Sequence, residues 1–273
     1  MEKPLLSVVT PVYNGSQFLE EMIESVLQQT YPNIEHFIID DGSTDGGKSV
    51  EILKKYPHLR WRTHKNIGQY ATQNVLFQEA KGEWITCNGQ DDRYYDKYAF
   101  EAIADHILSH PNADVVHGVT RFINEDGSVA LVQAPQKFPY WTLQYCLTIP
   151  HCSLFVRKSA MIDHQIFFNE NLKYTGDADW IFRLQLADLK FSLLDRYVSD
   201  YRYHPEQLTT IANRNPDAWK ARNEEDIRLA SLYGPNPLLR KIVMAWVNFE
   251  KRKQVAKLYL KGYRRVDNAW SKP

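Results

Sequence analysis

The stretch Ile34-Glu35-His36-Phe37-Ile38-Ile39-Asp40-Asp41-Gly42 decides the fold, because an apolar run ends abruptly in two aspartates and a glycine. Such a run is typical of a buried strand, which we predict over residues 34–39. Leu5-Leu6-Ser7-Val8-Val9-Thr10 has the same character and is predicted to stop at Pro11. A further strand, Trp84-Ile85-Thr86-Cys87, leads directly into Asn88-Gly89-Gln90-Asp91-Asp92.

Helical patterns separate these strands. Apolar residues recur at helical spacing over residues 18–27, and further helices are predicted from about residue 45 and over 69–80, with a short strand over 61–63 between them. Such alternation predicts an α/β fold with a mostly parallel sheet. Ligands bind these sheets beyond the carboxyl ends of the strands. We therefore expect Asp40-Asp41 and Asp91-Asp92 at one ligand-binding edge.

The two aspartate pairs suit different tasks. Adjacent carboxylates such as Asp91 and Asp92 repel each other unless a cation lies beside them. Mg²⁺ or Mn²⁺ is usually held by one or two carboxylates together with substrate phosphates. Asp41 could instead accept hydrogen bonds from a nucleotide base or ribose, with Gly42 allowing a close approach. Either pair alone could be an acidic turn, but two pairs at one edge indicate a site.

The second half of the chain is less regular. Strands are predicted over residues 114–119 and 130–132, and a helix over 177–186. From residue 215 the pattern is helical, with a break at Gly234-Pro235-Asn236-Pro237.

Several motifs carry a resemblance to a known family. They are Ser7-Val8-Val9-Thr10-Pro11-Val12-Tyr13-Asn14, Gln28-Gln29-Thr30-Tyr31-Pro32, Ile38-Ile39-Asp40-Asp41-Gly42-Ser43-Thr44-Asp45, and Asn66-Ile67-Gly68-Gln69-Tyr70-Ala71 with Asn74. With residues 88–92 they resemble glycosyltransferase family 2, densely over residues 5–95 and in patches over 145–210. The resemblance implies a GT-A fold, with a Rossmann-like, mixed and mostly parallel sheet flanked by helices. It also implies a nucleotide-diphosphate sugar donor and inversion at the anomeric carbon.

The resemblance assigns roles to residues of the first half. Thr10 and Asp41 would contact the base and ribose, and Asp91 would hold the ribose or ring hydroxyls. Asp92 would bind Mn²⁺ or Mg²⁺, although many members have aspartate where this chain has Gly89. The nucleotide-binding set implied in this way is Thr10, Pro11, Tyr13, Asp41, Gly68, Gln69, Asn74 and Asp91.

The resemblance also locates the catalytic base. Inversion needs a base that takes the proton from the acceptor hydroxyl. In the family this is an acidic residue just before a helix, followed by an aromatic residue and arginine, and 175–183 fits this pattern. Counting back from Arg183 favours Asp177, with Asp179 as the alternative. Gly176 stands where the family often has glutamate.

Further residues are expected on the acceptor or diphosphate side. The segment Tyr201-Arg202-Tyr203-His204-Pro205 resembles the one that closes the family's site over the diphosphate. His204 is expected as a metal ligand or a donor to the diphosphate, with Arg202 nearby. Trp180 is placed on this side too. His151 is expected to line the acceptor pocket, and a core position is the alternative.

The charge distribution bears on partners. The formal net charge is zero, but residues 236–273 contain ten basic and two acidic side chains, so the rest is acidic. An acidic body argues against nucleic-acid binding by that body. The basic tail is interleaved with apolar residues, so it either packs on the catalytic domain or lies peripherally on an anionic membrane.

The sequence predicts a catalytic domain over 1–212, with a nucleotide-binding half over 1–95 and an acceptor-side half over 96–212, and a helical basic extension over 213–273. Three cysteines without a CxxC pair, no leader pattern and no long apolar run indicate a cytoplasmic protein. The expected function is an inverting glycosyltransferase that uses a UDP-sugar and a saccharide or lipid-linked acceptor in cell-surface polysaccharide synthesis. The alternative is a non-catalytic nucleotide-sugar or glycan binding protein with the same fold.

Overall fold

The protein is described from a computed structural model covering residues 3–132, 138–234, 236–260, 264–266 and 269–271. Its helices and strands, in chain order, are β1 (Leu6–Val12), α1 (Leu19–Leu27), β2 (Ile34–Asp40), α2 (Lys48–Lys54), β3 (Arg60–Thr63), α3 (Gln69–Glu79), β4 (Trp84–Cys87), β5 (Arg93–Tyr94), α4 (Ala99–Ser109), β6 (Val115–Ile123), β7 (Val129–Val132), β8 (Leu154–Arg157), α5 (Lys158–Asp163), α6 (Gly176–Leu186), β9 (Phe191–Arg202), α7 (Leu208–Arg214), α8 (Pro216–Tyr233), α9 (Pro237–Leu260), β10 (Arg264–Val266) and β11 (Ala269–Ser271). Two 3-10 turns, Tyr140–Gln144 and His151–Ser153, precede β8.

Strands β1 to β9 form one mixed sheet, in the order β3-β2-β1-β4-β8-β6-β9-β5, with β7 paired to β6. The pairs among β3, β2, β1 and β4 are parallel, as is β6 with β9. The pairs of β8 with β4 and β6, of β5 with β9 and of β7 with β6 are antiparallel. The predicted α/β class with a mixed sheet is confirmed, and the parallel arrangement is concentrated in the first half of the chain.

Strand β1 continues through Pro11 to Val12, so the prediction that it stops at Pro11 is wrong. The reason lies in its neighbours. β1 pairs with β4 only as far as Val9, whereas its pairing with β2 continues to Val12. Beyond Val9 the strand has one partner, and the missing N–H of proline costs less there than in a strand paired on both sides.

Two apolar cores cover the two faces of the sheet. Because successive strand side chains point to opposite faces, Val9 and Ile39 face one core while Val8 and Ile38 face the other. The first core is closed by α3 and α6, and the second by α1 and α4. Burial on both faces explains why these strands are almost continuously apolar. It also fixes the carboxyl ends of β1, β2 and β4 at one edge.

The C-terminal helices contact the domain through particular side chains. Glu225 of α8 accepts hydrogen bonds from the loop before α6, and Tyr233 donates one to Asp179. On α9, Val243 and Val247 are buried. The predicted domain boundary after residue 212 lies inside α7, and the division itself stays a prediction. None of the helices in the described part of the chain combines the length and apolar character that a membrane span requires.

Candidate active site

The two aspartate pairs lie at the same edge of the sheet, as the sequence predicts. β2 ends at Asp40, which is in register with Val12, the last residue of β1. The backbone N–H of Asp41 donates to the carbonyl of Val12 (2.7 Å), and that of Asn88 donates to Val9 (3.1 Å). The segments that carry Asp41 and Asp91-Asp92 therefore leave the sheet on either side of β1.

Asp40 and Asp41 have different surroundings. Asp40 is buried and accepts hydrogen bonds from Ser43 and Thr63, so it organises the turn. The carboxylate of Asp41 accepts the backbone N–H of Ile67 (2.8 Å) and of Gly68 (3.0 Å). Asp41 thus holds the N-terminus of α3, where Gly68 has a φ of +95° that favours glycine.

His64 completes the surroundings of Asp41. Its Nε2 lies 3.0 Å from Asp41 Oδ1 and 3.2 Å from the hydroxyl of Thr72. Gly42 makes this close packing feasible, because a Cβ on it would lie 2.8 Å from the backbone nitrogen of Asn66. Its φ of +69° also disfavours any other residue.

The turn after β1 is tied to the loop that carries Asp91 and Asp92. The side-chain amide of Gln90 accepts the N–H of Tyr13 (2.9 Å) and donates to its carbonyl (3.1 Å). Tyr13 is 45% exposed at this edge. Thr10, by contrast, is fully buried beneath α1, with its hydroxyl 3.8 Å from the sulfur of Met22, and Pro11 is half-buried.

Asp91 and Asp92 are fixed by Arg202 and His204 at the end of β9. The backbone N–H of Arg202 donates to Asp92 Oδ1 (2.9 Å), and its guanidinium donates to the carbonyl of Asp91 (2.9 Å). His204 donates from Nε2 to Asp91 Oδ2 (2.9 Å). Burial, and then the negative charge of Asp91, raise the pKa of the Asp92 carboxyl well above its usual range.

The carboxylates of Asp91 and Asp92 pack closely against Gly89 and occupy the place that a side chain on it would need. A Cβ on it would lie 2.6 Å from Asp91 Oδ1 and 3.2 Å from Asp92 Oδ2. The bonds to His204 and Arg202 use the other oxygen of each carboxylate. The two oxygens that face Gly89 are hard donors of the kind that Mg²⁺ or Mn²⁺ prefers.

No group of three or more histidine, cysteine, aspartate or glutamate side chains within the described ranges is arranged to hold a metal ion. Two carboxylates together with ligand phosphates and water are nevertheless a usual environment for a hard divalent ion. Besides burial, repulsion from Asp91 raises the pKa of Asp92, and a nearby cation relieves repulsion of this kind. The carboxylates of Asp91 and Asp92 therefore fit a divalent cation whose other ligands would be oxygens of a bound diphosphate.

The guanidinium of Arg202 serves the scaffold. Besides Asp91, it donates to the carbonyl of Glu125 (2.9 Å) and to the carboxylate of Glu21, and it lies over the ring of Phe18. Arg202 is 1% exposed. The structure thus brings Arg202 to the site, but its donors contact α1 and loop carbonyls rather than open space.

Asp177 lies in the first turn of α6, with its side chain one-third exposed. His151 lies beside it, with Nδ1 3.8 Å from Asp177 Oδ2. The structure therefore brings these two predicted residues together.

Asp179 is 2% exposed and has three donors around it. Arg183 contacts its Oδ2 through Nε (2.9 Å) and Nη2 (2.6 Å), and the hydroxyl of Tyr233 donates to Oδ1 (2.7 Å). These bonds turn the carboxylate into the protein and leave Asp177 as the accessible acid of this turn.

Three further predicted residues have clear structural surroundings. Trp180 is 2% exposed and stacks on Phe168, within the core between α3 and α6. Asn74 is buried, and its amide accepts the N–H of Phe168 (2.8 Å) and donates to its carbonyl (3.0 Å). The structure does not bring either side chain to the open edge. Gln69, the first residue of α3, is exposed there.

Four residues that shape the site were assigned no functional role from sequence: His64, Tyr70, Gln90 and Glu225. Gln90 and Tyr70 lie inside the motifs that suggested the family, so their position was the available signal. His64 and Glu225 lie outside those motifs. Their contacts depend on how the loops meet in space.

The chain is similar to known glycosyltransferases in sequence. A family model described as "Glycosyl transferase family 2" matches residues 7–168. An uncharacterized glycosyltransferase of Rickettsia felis is 31% identical over 226 residues, covering 78% of this chain and 37% of that protein. A putative teichuronic acid biosynthesis glycosyltransferase of Bacillus subtilis, TuaG, is 36% identical over 97 residues, covering 34% of this chain and 38% of the relative. The aligned regions cover little more than a third of the length of each of these two relatives.

Solved structures share the fold. TarS of S. aureus in complex with UDP-GlcNAc aligns with a TM-score of 0.64 at 22% identity, covering 74% of this chain and 60% of the other. The mannosyltransferase PcManGT of Pyrobaculum calidifontis, in complex with GDP-Man and Mn²⁺, aligns with a TM-score of 0.57 at 18% identity, covering 78% and 61%.

The different surroundings of Asp177 and Asp179 predict different effects on stability. Asp179→Ala removes the acceptor shared by Arg183 and Tyr233, which should cost about 2 kcal/mol because Arg183 is partly exposed. The melting temperature should fall by roughly 4–8 °C. Asp177→Ala should change it by no more than about 2 °C. Equal losses in thermal melts of the two variants would show that Asp177 is as structural as Asp179.

Proposed function

Because the chain belongs to glycosyl transferase family 2, we propose that it is a glycosyltransferase that transfers a sugar from a UDP-sugar to an acceptor hydroxyl with inversion. Two observations carry the proposal. Asp41 and the Asp91-Asp92 loop leave the sheet on either side of β1. The accessible Asp177 follows Gly176, whose N–H is bonded to Tyr70 of α3. The alternative, a binding protein without activity, rested on Gly89 and Gly176. Glycine is required at both positions for a local steric reason, because a side chain would collide with Asp91 at Gly89 and with Tyr70 at Gly176.

The donor nucleotide is proposed to bind at the end of β1 and β2. Asp41 offers a buried carboxylate whose position is fixed by Ile67 and Gly68, and Tyr13 offers an exposed aromatic ring for the base. Pro11, Gln69 and Asp91 are proposed to complete the contacts. Thr10 and Asn74, being buried, support this surface from below. UDP-GlcNAc in TarS and GDP-Man in PcManGT support a nucleotide-sugar as the donor class.

A divalent cation, Mn²⁺ or Mg²⁺, is proposed to be held by Asp92 and Asp91 together with the donor diphosphate. Such an ion neutralises charge that builds on the departing diphosphate. His204, whose Nε2 is hydrogen-bonded to Asp91, is proposed to fix the orientation of that carboxylate rather than to bind the ion itself, as partners of metal ligands commonly do. Arg202 fixes Asp92 in the same way through its backbone N–H. The Mn²⁺ in PcManGT supports the choice of ion.

Asp177 is proposed as the general base. In an inverting transfer the acceptor oxygen forms the bond to the anomeric carbon while the bond to the diphosphate oxygen breaks and its electron pair leaves with the diphosphate. The hydroxyl proton passes to the carboxylate of Asp177. The side chain is accessible, and His151 beside it is proposed to line the acceptor side. The buried Asp179 is proposed to stabilise helix α6 and not to act as the general base.

The acceptor is proposed to be a saccharide or lipid-linked saccharide of a cell-surface polysaccharide, for which the teichuronic acid relative TuaG is the support. Helix α9 has a surface that suits a lipid-linked acceptor. Leu238, Ile242 and Phe249 are exposed and share one face by helical spacing. The exposed Lys241 and Arg252 flank this apolar stripe. An apolar stripe with basic flanks suits the surface of an anionic bilayer.

The experiment that tests the proposed reaction measures UDP release and donor binding in parallel. A thermal-shift panel of UDP-, GDP- and dTDP-sugars, with and without Mn²⁺, identifies the donor first. Asp177→Asn should then lower transfer or donor hydrolysis at least ~100-fold, because a neutral amide cannot accept the proton. Binding of the donor with Mn²⁺, measured by calorimetry, should change less than about 2-fold.

The matched control is Asp163→Asn, which removes an exposed carboxylate of α5 and should leave both quantities unchanged.

Asp92→Asn should abolish the Mn²⁺-dependent part of the donor's thermal shift. Donor binding by a wild-type protein that neither transfers nor hydrolyses sugar would instead establish the non-catalytic alternative.

The apolar stripe of α9 and its basic neighbours predict that the protein binds to anionic vesicles. The wild type should cosediment with vesicles of mixed phosphatidylglycerol and phosphatidylcholine but not with phosphatidylcholine alone, and added salt should weaken the binding. The double substitution Ile242→Glu/Phe249→Glu should weaken it at least ~10-fold. Ile162→Glu alters an exposed isoleucine of α5 and serves as the control. Equal sedimentation of the double variant and wild type would contradict this role of α9.

A further inference from the structure

Helix α6, which carries Asp177, begins without a side-chain cap of its own. Thr175 stands at the N-cap and makes no capping hydrogen bond. The first helical N–H, that of Gly176, donates instead to the hydroxyl of Tyr70 (2.9 Å), a residue of α3. Free N–H groups at a helix start need such a partner. The N-terminus of the base-bearing helix is thus held by a helix of the nucleotide half.

The ring of Tyr70 lies directly against Gly176. A Cβ on Gly176 would come within 2.4 Å of the ring atoms Cε2 and Cζ, so no larger residue fits while the ring stays in place. The ring of Tyr70 also stacks on Phe168, with ring centroids 5.2 Å apart and planes inclined by 10°. Burial, and then the charge of Asp177, raise the pKa of Tyr70, so its hydroxyl stays protonated. Tyr70 and Gly176 are therefore complementary in shape and in hydrogen bonding.

The start of α3 is in turn held by Asp41. The carboxylate of Asp41 accepts the N–H of Gly68, and Tyr70 follows only two residues later. A short path therefore leads from Asp41 through the first turn of α3 to Gly176, and Asp177 is the next residue. Each step is a backbone link or a hydrogen bond of 3.0 Å or less.

We propose that Tyr70 is a positioning residue for Asp177, and that through Asp41 it couples occupancy of the nucleotide site to the placement of the base. This inference rests on the proposed roles of Asp41 and Asp177. It goes beyond them because Tyr70 would contact neither the donor nor the reacting atoms. A base that is displaced by about 1 Å loses roughly 100-fold in rate, so a single hydrogen bond at this point is sufficient to matter.

The loop before α6 has a second support in Glu225. Glu225 accepts the N–H groups of Lys173, Tyr174 and Thr175, so it holds the loop just before α6. Because Glu225 lies on α8, it supports the loop from the C-terminal helices through hydrogen bonds that do not involve the Tyr70 hydroxyl. Loss of Tyr70 should therefore loosen the base without unfolding the segment.

The kinetic test uses Tyr70→Phe, which keeps the ring stack and removes only the hydroxyl. We expect kcat to fall roughly 10- to 100-fold, while KM for the donor stays within about 2-fold. Tyr98→Phe removes the hydroxyl of an exposed tyrosine and should leave both constants unchanged. A kcat within about 2-fold of wild type, or a loss that lies entirely in donor KM, would overturn the proposal.

Hydrogen exchange provides a readout that does not depend on turnover, with UDP and Mn²⁺ as the added ligands. In the wild type, UDP should slow exchange both in residues 66–72 and in residues 173–179. In Tyr70→Phe, slowing should persist in 66–72 and be lost in 173–179. Equal slowing of 173–179 in both proteins would overturn the coupling.

The two measurements separate the coupling from the proposed reaction. If the wild type shows linked protection but no sugar transfer, the proposed reaction fails and the coupling stands. If the wild type transfers sugar and the two segments respond independently, the coupling alone fails.

Discussion

Two adjacent carboxylates, one of them buried, are held together at the carboxyl edge of this sheet, and the rest of the site is arranged around them. Asp92 is 3% exposed, and the charge of Asp91 adds to the cost of ionising it. Arg202 offsets part of this cost through its backbone N–H and guanidinium, and His204 fixes Asp91. In a pair constrained in this way, one oxygen of each carboxylate lies against Gly89, and a divalent cation bound to these oxygens would relieve the remaining repulsion.

The two glycines that depart from the family pattern have physical explanations of the same kind. At Gly89 a side chain would press on the carboxylate of Asp91, and at Gly176 it would collide with the ring of Tyr70. Each absent side chain makes room for a neighbour that shapes the site. The two glycines are therefore explained by the packing of Asp91 and Tyr70, and they do not indicate that the site has been lost.

Much of the fold could be predicted from the sequence, because apolar periodicity and strand–helix alternation are local. The strand at Trp84–Cys87 and the shared edge of Asp41 and Asp92 follow from such patterns. What could not be predicted depends on contacts between distant segments. Pro11 remains within β1 because β4 has already ended beside it. The burial of Asp179, which leaves Asp177 as the accessible acid, depends on Tyr233 from α8.

The central claim, that the Asp91-Asp92 pair holds a divalent cation together with the donor diphosphate, is tested most directly by crystals grown with UDP and Mn²⁺. Anomalous diffraction at the manganese edge locates the ion without reference to activity. The account predicts one peak beside Gly89, about 2 Å from an oxygen of Asp92 and from the diphosphate. Bound UDP with no peak there, or a peak that contacts neither aspartate, would contradict it.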